Sequence, residues 1–103
     1  MAKDLIKNWH CVTSYDNITP KEAGCYAIYK HNLETHVSEL LYIGTASNLY
    51  VRLKKHPVTR VLRSLLIYPE IPLVKCKIIL DKNLRIKTEF MLINRLRPKV
   101  NCE

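Results

Sequence analysis

The sequence predicts a single α+β domain in which a small three-stranded antiparallel sheet is flanked by helices, in the order β-β-α-α-β-α. Three observations predict it. Two segments of alternating apolar and polar residues are joined by a short polar connection, a pattern typical of a hairpin. Two stretches with helical spacing follow them. A third alternating segment then precedes a last helical stretch that ends at a proline.

The predicted strands are rich in aromatic and β-branched residues. They cover residues 24–29, 38–43 and 74–80. Gly44 breaks the pattern at the end of the second strand, and a loop between Pro69 and Pro72 precedes the third. Lys75 and Lys77 alternate with the apolar residues of the third strand, which predicts one wet, basic face.

The first predicted helix follows Ser47 or Asn48, since either side chain can accept backbone N–H bonds as a cap. Leu49 and Leu53 share its buried face, and the i, i+4 spacing of Arg52 and His56 places both on the adjoining flank. Pro57 suits the first turn of a second helix. Its expected apolar stripe consists of Val58, Val61, Leu62, Leu65 and Leu66.

The last predicted helix runs from Leu84 to Arg97, with Asn83 as its cap, and Pro98 stops it. Ile86, Phe90 and Ile93 are its expected buried stripe, and Glu89 lies beside that stripe. The whole chain, 1–103, is expected to be one domain. An N-terminal arm, 1–20, packs on it through Leu5, Ile6 and Trp9, and a core, 24–101, carries the motifs.

Charge and cysteine use restrict the class of function. The chain has 17 Lys and Arg against 9 Asp and Glu, a net charge of +8, which favours a polyanionic partner such as nucleic acid over a membrane surface. No apolar run is long enough to span a bilayer. The four cysteines are far apart, so we expect free thiols in a reducing compartment and no zinc site.

Several side chains suited to phosphate and proton chemistry stand out along the chain. A phenol, a guanidinium, an imidazole, a carboxylate and an amide are groups that hold phosphate, a metal ion or a proton. If the hairpin register allows it, the two phenols lie close together on one face. The candidate residues are Tyr26, Tyr42, Arg52, His56, Glu89 and Asn101.

The order of these residues resembles the GIY-YIG nuclease superfamily. The similarity covers residues 24–101. It is carried by Gly24-Cys25-Tyr26, Tyr42-Ile43-Gly44, Asn48-Leu49 with Arg52 and His56, Glu89 with Leu92-Ile93, and Arg97-Pro98 with Asn101. The resemblance implies a GIY-YIG endonuclease-like fold, and phosphodiester hydrolysis in DNA with one divalent ion, Mg²⁺ or Mn²⁺. Cys25, Thr45 and Ala46 differ from the residues that are commonest at their positions in or next to the motifs of the family.

The resemblance also implies a role for each candidate. Tyr26 matches the general base towards water, and Tyr42 supports or orients the nucleophile. Arg52 matches the phosphate-binding arginine and Glu89 the metal ligand. Asn101 matches a residue that orders the site, and His56 a position that varies among branches of the family.

Structural alternatives stay open beside these roles. Arg52 and Glu89 could form only a salt bridge, and His56 could serve a helix C-terminus. The basic residues best suited to follow a phosphate backbone are Arg52, Lys54, Lys55, Arg60, Arg63, Lys75 and Lys77.

Three functions follow from this interpretation. The first is a metal-dependent DNA endonuclease consisting of a catalytic domain alone. The second is a DNA-binding module of the same fold that is inactive or needs a protein partner, and the third is a nuclease selective for branches, flaps or nicks. We expect no membrane association, a monomer or homodimer, and a cytoplasmic or nucleoid-associated location.

Overall fold

The computed structural model of the chain describes residues 5–12, 19–58, 61 and 66–101. Within these ranges it contains four strands and two complete helices, which confirms the α+β class. In chain order they are β1 (His10–Val12), β2 (Gly24–Asn32), β3 (Ser38–Ala46), α1 (Leu49–Lys54), β4 (Glu70–Ile78) and α2 (Lys82–Leu96).

The strands form one antiparallel sheet in the order β1-β4-β2-β3. The prediction of three strands is therefore wrong, because the N-terminal arm adds β1 as a fourth. His10 pairs with Cys76 of β4, and Val12 pairs with Val74. A strand of three residues is too short to show an alternating pattern, so no sequence signal marks it.

All three predicted strands extend beyond their predicted limits at one end. β2 continues to Asn32, and β4 ends at Ile78, two residues before its predicted end. Gly44 does not end β3, which continues to Ala46. β4 begins at Glu70, so Pro72 lies in a strand and not in the predicted loop. Proline is tolerated there because, within the described residues, β1 pairs only with residues 74–76 and leaves that side of Pro72 without a strand neighbour.

The sheet separates two apolar cores. The first consists of Tyr26, Ile28, Ala46, Leu49, Leu53, Val74 and Cys76. The second consists of Ile6, Ala27, Ile43 and Leu92, with Trp9, Tyr29, Leu40, Ile93 and Leu96 packed against it. We call the side of the sheet with the first core the front face and the side with the second core the back face. Helix α1 covers the front face, and α2 covers the back face. The N-terminal arm also packs on the back face, through Ile6 and Trp9 as predicted, whereas Leu5 is 36% exposed.

Helix α1 begins and ends close to its predicted positions. The side chain of Asn48 caps it by accepting a hydrogen bond from the Val51 N–H, at 3.1 Å, which decides between the two candidate caps. Leu49 and Leu53 are buried as expected. The helix ends at Lys54, before His56, so Arg52 and His56 do not share one helical flank.

The segment after α1 is described only in part. Pro57, Val58 and Val61 are helical, in agreement with the prediction of a second helix. Val61 is 53% exposed, so it does not belong to a buried stripe. Leu62 and Leu65, also assigned to that stripe, lie outside the described residues.

Of the predicted stripe of helix α2, Ile93 packs against the second core, but Ile86 and Phe90 do not, and Leu92 takes their place. The cap of the helix is Asp81, whose carboxylate accepts a hydrogen bond from the Leu84 N–H at 2.9 Å, and not Asn83. Leu92 is buried, whereas Ile86 is half exposed and Phe90 is 70% exposed. The helix ends before Pro98 as predicted. No helix in the described ranges combines the length and the apolar character needed to cross a membrane.

Candidate active site

The centre of the candidate site is the phenol of Tyr26, which lies across Gly44. Tyr26 of β2 is paired with Gly44 of β3, and the tyrosine is only 1% exposed. A Cβ atom added to Gly44 would lie 2.5 Å from the Tyr26 hydroxyl oxygen and 2.6 Å from its Cζ. Glycine is therefore required here because a side chain would collide with the Tyr26 ring. Backbone conformation is not the reason, since the φ of Gly44 is not positive.

Tyr42 and His56 complete an aromatic cluster around this phenol on the front face. The rings of Tyr26 and Tyr42 are stacked, with centroids 6.1 Å apart. The His56 ring meets both edge-on, at 5.3 Å from Tyr26 and 4.8 Å from Tyr42. The expectation that the hairpin register brings the two phenols together is confirmed.

Arg52 reaches this cluster from α1. Its Nε donates a long hydrogen bond of 3.4 Å to the Tyr26 hydroxyl, while the side chain as a whole stays exposed. This contact raises the pKa of Arg52 further, so the guanidinium is charged at all relevant pH values. The structural alternative was a salt bridge between Arg52 and Glu89. Among the described residues no such salt bridge is present, and Arg52 bonds to a phenol instead.

His56 is a neutral, buried residue and not a source of positive charge. It is 2% exposed, and burial, aided by the nearby Arg52, lowers its pKa to about 4. Its Nδ1 accepts a hydrogen bond from the Val58 N–H at 3.2 Å, which caps the helical residues that follow. A neutral His56 does not stabilise the C-terminus of α1 through a positive charge, which was the structural alternative for this residue.

The Tyr26 hydroxyl is held in its neutral form by its surroundings. Burial raises its pKa to about 12, while the hydrogen bond from Arg52 acts in the opposite direction. Tyr29, on the back face of the same strand, has its pKa raised to about 12, mainly by burial and also by Cys11. The Tyr26 hydroxyl differs in that it accepts a hydrogen bond from a cation, which stabilises its phenolate.

Glu89 lies on α2, whose buried residues pack on the back face, opposite to the two tyrosines. Burial raises the pKa of Glu89, and its charge in turn helps to raise the pKa of Cys25 and of Tyr26. The carboxylate is thus within electrostatic reach of the site, although its helix covers the other side of the sheet. Within the described residues Glu89 has no salt bridge, and no group of three His, Cys, Asp or Glu side chains is arranged to hold a metal ion.

Asn101 fixes the outer edge of β3. Its amide accepts a hydrogen bond from the Ile43 N–H at 2.7 Å and donates one to the Ile43 carbonyl at 3.0 Å. The Val100 N–H donates to the Leu41 carbonyl at 2.7 Å. Asn101 therefore holds the backbone between Tyr42 and Gly44, which agrees with an ordering role and places it outside direct chemistry.

The predicted basic residues do not form one surface. Lys54 and Lys55 are exposed on or next to α1, as Arg52 is. Lys75 and Lys77 are paired with Ala27 and Cys25, so both project from the back face. Lys75 is partly buried and lies over the Tyr29 ring, at 5.7 Å from its centroid, whereas Lys77 is exposed as the predicted wet face requires. Arg60 and Arg63 lie outside the described residues.

The sequence interpretation missed one residue of the site, the glycine that accommodates Tyr26. Gly44 was taken as the end of a strand, although a glycine in a strand interior also marks the close approach of another group. No protein-family model, curated protein or solved structure matches this chain. The geometry of the site and the resemblance of its motifs are therefore the evidence from which a function can be proposed.

Proposed function

We propose that the chain is a metal-dependent DNA endonuclease with a GIY-YIG-like fold, which hydrolyses phosphodiester bonds at the site around Tyr26. The observation that carries this proposal is the contact between a buried tyrosine and an exposed arginine, Tyr26 and Arg52. Arg52 is exposed to solvent while its Nε contacts the buried tyrosine hydroxyl. A buried tyrosine hydroxyl usually has a hydrogen-bond partner, but here that partner is a cation, which also stabilises the phenolate.

The positions of these residues suggest a role for each in the proposed reaction. Arg52 binds the scissile phosphate, since its planar fork can engage two oxygens and stabilise the charge that develops on them. Tyr26 takes the proton of the attacking water. With a pKa of about 12 it cannot do so in the free protein at neutral pH, so additional cationic charge must lower that pKa when substrate binds. Tyr42 stacks on Tyr26 and keeps its ring in place.

Glu89 is the residue that would hold the metal ion. A half-buried carboxylate with a raised pKa and no salt bridge among the described residues fits a cation, and one carboxylate with water and phosphate ligands is usual for Mg²⁺. A bound divalent ion would supply positive charge to the phosphate and lower the pKa of water.

A second function, a DNA-binding module without activity of its own, is favoured by one observation. The helix that carries Glu89 packs on the back face of the sheet, opposite to Tyr26 and Tyr42. If that carboxylate does not join the tyrosines on substrate, the basic front face still binds DNA, and cleavage would need a protein partner. Either function implies a location where DNA is present, in the cytoplasm or at the nucleoid.

Cleavage of supercoiled plasmid DNA in Mg²⁺ or Mn²⁺ distinguishes the two functions. We expect Tyr26→Phe to lower the rate by at least about 100-fold, in the range of a lost general base. Arg52→Ala should lower it by about 100- to 1,000-fold, and Glu89→Ala should abolish it. Tyr29→Phe is the matched control, because it removes a buried hydroxyl from the same strand on the other face.

Each result of this experiment supports one of the two functions and contradicts the other or one of its assigned roles. Loss of cutting in the first three variants with full activity in Tyr29→Phe supports the nuclease. Undiminished cutting by Glu89→Ala would remove its metal role. DNA binding in EDTA by the unaltered protein, without cutting of any substrate form in metal, would instead support the binding module.

A further inference from the structure

A second cationic feature lies beside α1 and is not part of the site around Tyr26. The ring of Tyr50 carries two lysine ammonium groups, from Lys21 and Lys54, each 5.7 Å from its centroid. Lys54 was predicted to bind nucleic acid, but Lys21 and Tyr50 were not.

Backbone hydrogen bonds hold this group together. The Leu49 N–H donates to the Glu22 carbonyl, and the Tyr50 N–H donates to the Pro20 carbonyl, both at 2.9 Å. Lys21 lies between these two acceptors, so its position relative to the start of α1 is fixed. Tyr50 and Lys54 are one helical turn apart, which places their side chains on the same flank.

The charges of the two lysines are not compensated within the described residues. Neither forms a salt bridge there, whereas Lys30 has Glu39 and Glu70 as partners, each at 3.5 Å. An anion beside the two ammonium groups would therefore meet positive charge that no described carboxylate neutralises. The ring attracts each ammonium group and so keeps both at the surface in a defined place.

The flank of α1 that carries Tyr50 is opposite to the flank that carries Arg52. Arg52 is two residues from both Tyr50 and Lys54, and such a spacing puts side chains on different sides of a helix. A helix with its side chains is about 10–12 Å wide, and the strands of DNA rise about 3.4 Å for each nucleotide. Measured along a duplex axis, the width of α1 therefore corresponds to about three base pairs, so one duplex can contact both flanks.

We propose that Lys21 and Lys54, positioned by the Tyr50 ring, form a second phosphate-binding site for the DNA strand whose scissile phosphate is held by Arg52. This inference rests on the proposed function, because it assigns DNA as the ligand. The lysines contact the backbone phosphate, and Tyr50 is a positioning residue that does not itself need to touch DNA. The substrate would then be held on both sides of α1.

The test is the salt dependence of binding to a short fluorescent DNA duplex, measured in EDTA so that no cleavage takes place. We expect Lys21→Gln and Lys54→Gln each to reduce the slope of log K against log salt concentration by about 0.9, which corresponds to about eightfold weaker binding at 0.1 M salt. Lys87→Gln, which removes an exposed lysine of α2 on the other side of the sheet, should change neither quantity.

Tyr50 variants test the positioning role. Tyr50→Phe keeps an aromatic face for the lysines and should bind DNA normally, whereas Tyr50→Leu should lower both the affinity and the slope. Equal slopes for Lys21→Gln and Lys87→Gln would overturn the proposal, as would normal binding by Tyr50→Leu.

Failure of this site and failure of the nuclease are distinguishable. If the slopes do not change but Tyr26→Phe stops cleavage, only the second phosphate site is wrong. If Tyr26→Phe cuts DNA normally while the lysine variants change the slopes, the nuclease mechanism is wrong and the site remains as part of a binding surface.

Discussion

The substitution Gly44→Ala tests how the site is built. The new methyl group would lie 2.5 Å from the Tyr26 hydroxyl oxygen and 2.6 Å from its Cζ, so the buried ring must move. Overpacking of this kind costs about 1–3 kcal/mol, and reduced freedom of the unfolded chain returns about 0.4–1 kcal/mol. We therefore expect a net loss of about 1–2 kcal/mol in the free energy of unfolding, measured by urea titration, together with loss of DNA cleavage.

A double-mutant cycle shows whether the Tyr26 ring is the cause. In a Tyr26→Leu background Gly44→Ala should cost almost nothing, because the remaining close approach, 2.9 Å to Cε1 of Tyr42, involves the edge of a half-buried ring that can shift. Gly24→Ala is the control, since its methyl group would overlap the backbone carbonyl of Lys77, which Tyr26→Leu does not relieve. An equal cost of Gly44→Ala in both backgrounds would refute the reasoning.

Three further predictions follow from burial and hydrogen bonding. His56 has an ordinary pKa of 6.5 in the unfolded chain and a pKa of about 4 in the folded chain. As the pH falls from 6.5 to about 4, the unfolded chain binds the proton first, so the free energy of unfolding should fall by up to about 3 kcal/mol. His56→Gln should remove this dependence in urea titrations at several pH values, and identical pH profiles would contradict the burial argument. Asn101→Leu removes two hydrogen bonds to the β3 backbone, so it should lower the free energy of unfolding by about 1–3 kcal/mol and speed amide hydrogen exchange at the edge of β3. Unchanged exchange would show that this edge does not depend on the Asn101 amide. Burial raises the pKa of Cys25 and of Cys76 to about 11, whereas Cys11 is exposed. A thiol reagent should therefore modify Cys11 in the folded protein, and Cys25 and Cys76 only after unfolding. Modification of all three at similar rates would contradict this prediction.

The sheet was largely predictable because alternation is a local signal. The strands β2, β3 and β4 all appear where apolar residues alternate, and the helix cap at Asn48 follows from its side-chain chemistry. Strand β1 was not predictable, since three residues carry no period and their partner is distant in sequence.

The orientation of α2 was the main failure. Apolar residues lie on several sides of this helix, and the sequence favoured a stripe through Ile86 and Phe90 over the one through Leu92 and Leu96. Helical spacing fits both, and only contact with the sheet decides between them. The distance of Glu89 from the tyrosines depends on that choice.

The front-face part of the candidate site was predictable because its members lie on one hairpin and the helix directly after it. Tyr26, Tyr42 and Arg52 are brought together by a register and a helix start that the sequence indicates. The protonation of His56 was not predictable, because its pKa depends on burial by residues from several elements. Sequence spacing contains no information about that burial.

In the proposed nuclease, Glu89 and Tyr26 must act on the same phosphate. Anomalous scattering from a crystal soaked in Mn²⁺ tests this directly, because it locates the ion without reference to activity. We predict one ion bound to the Glu89 carboxylate and within reach of the Tyr26 hydroxyl. An ion bound only elsewhere, or none at Glu89, would contradict the proposed nuclease and favour its alternative, the binding module.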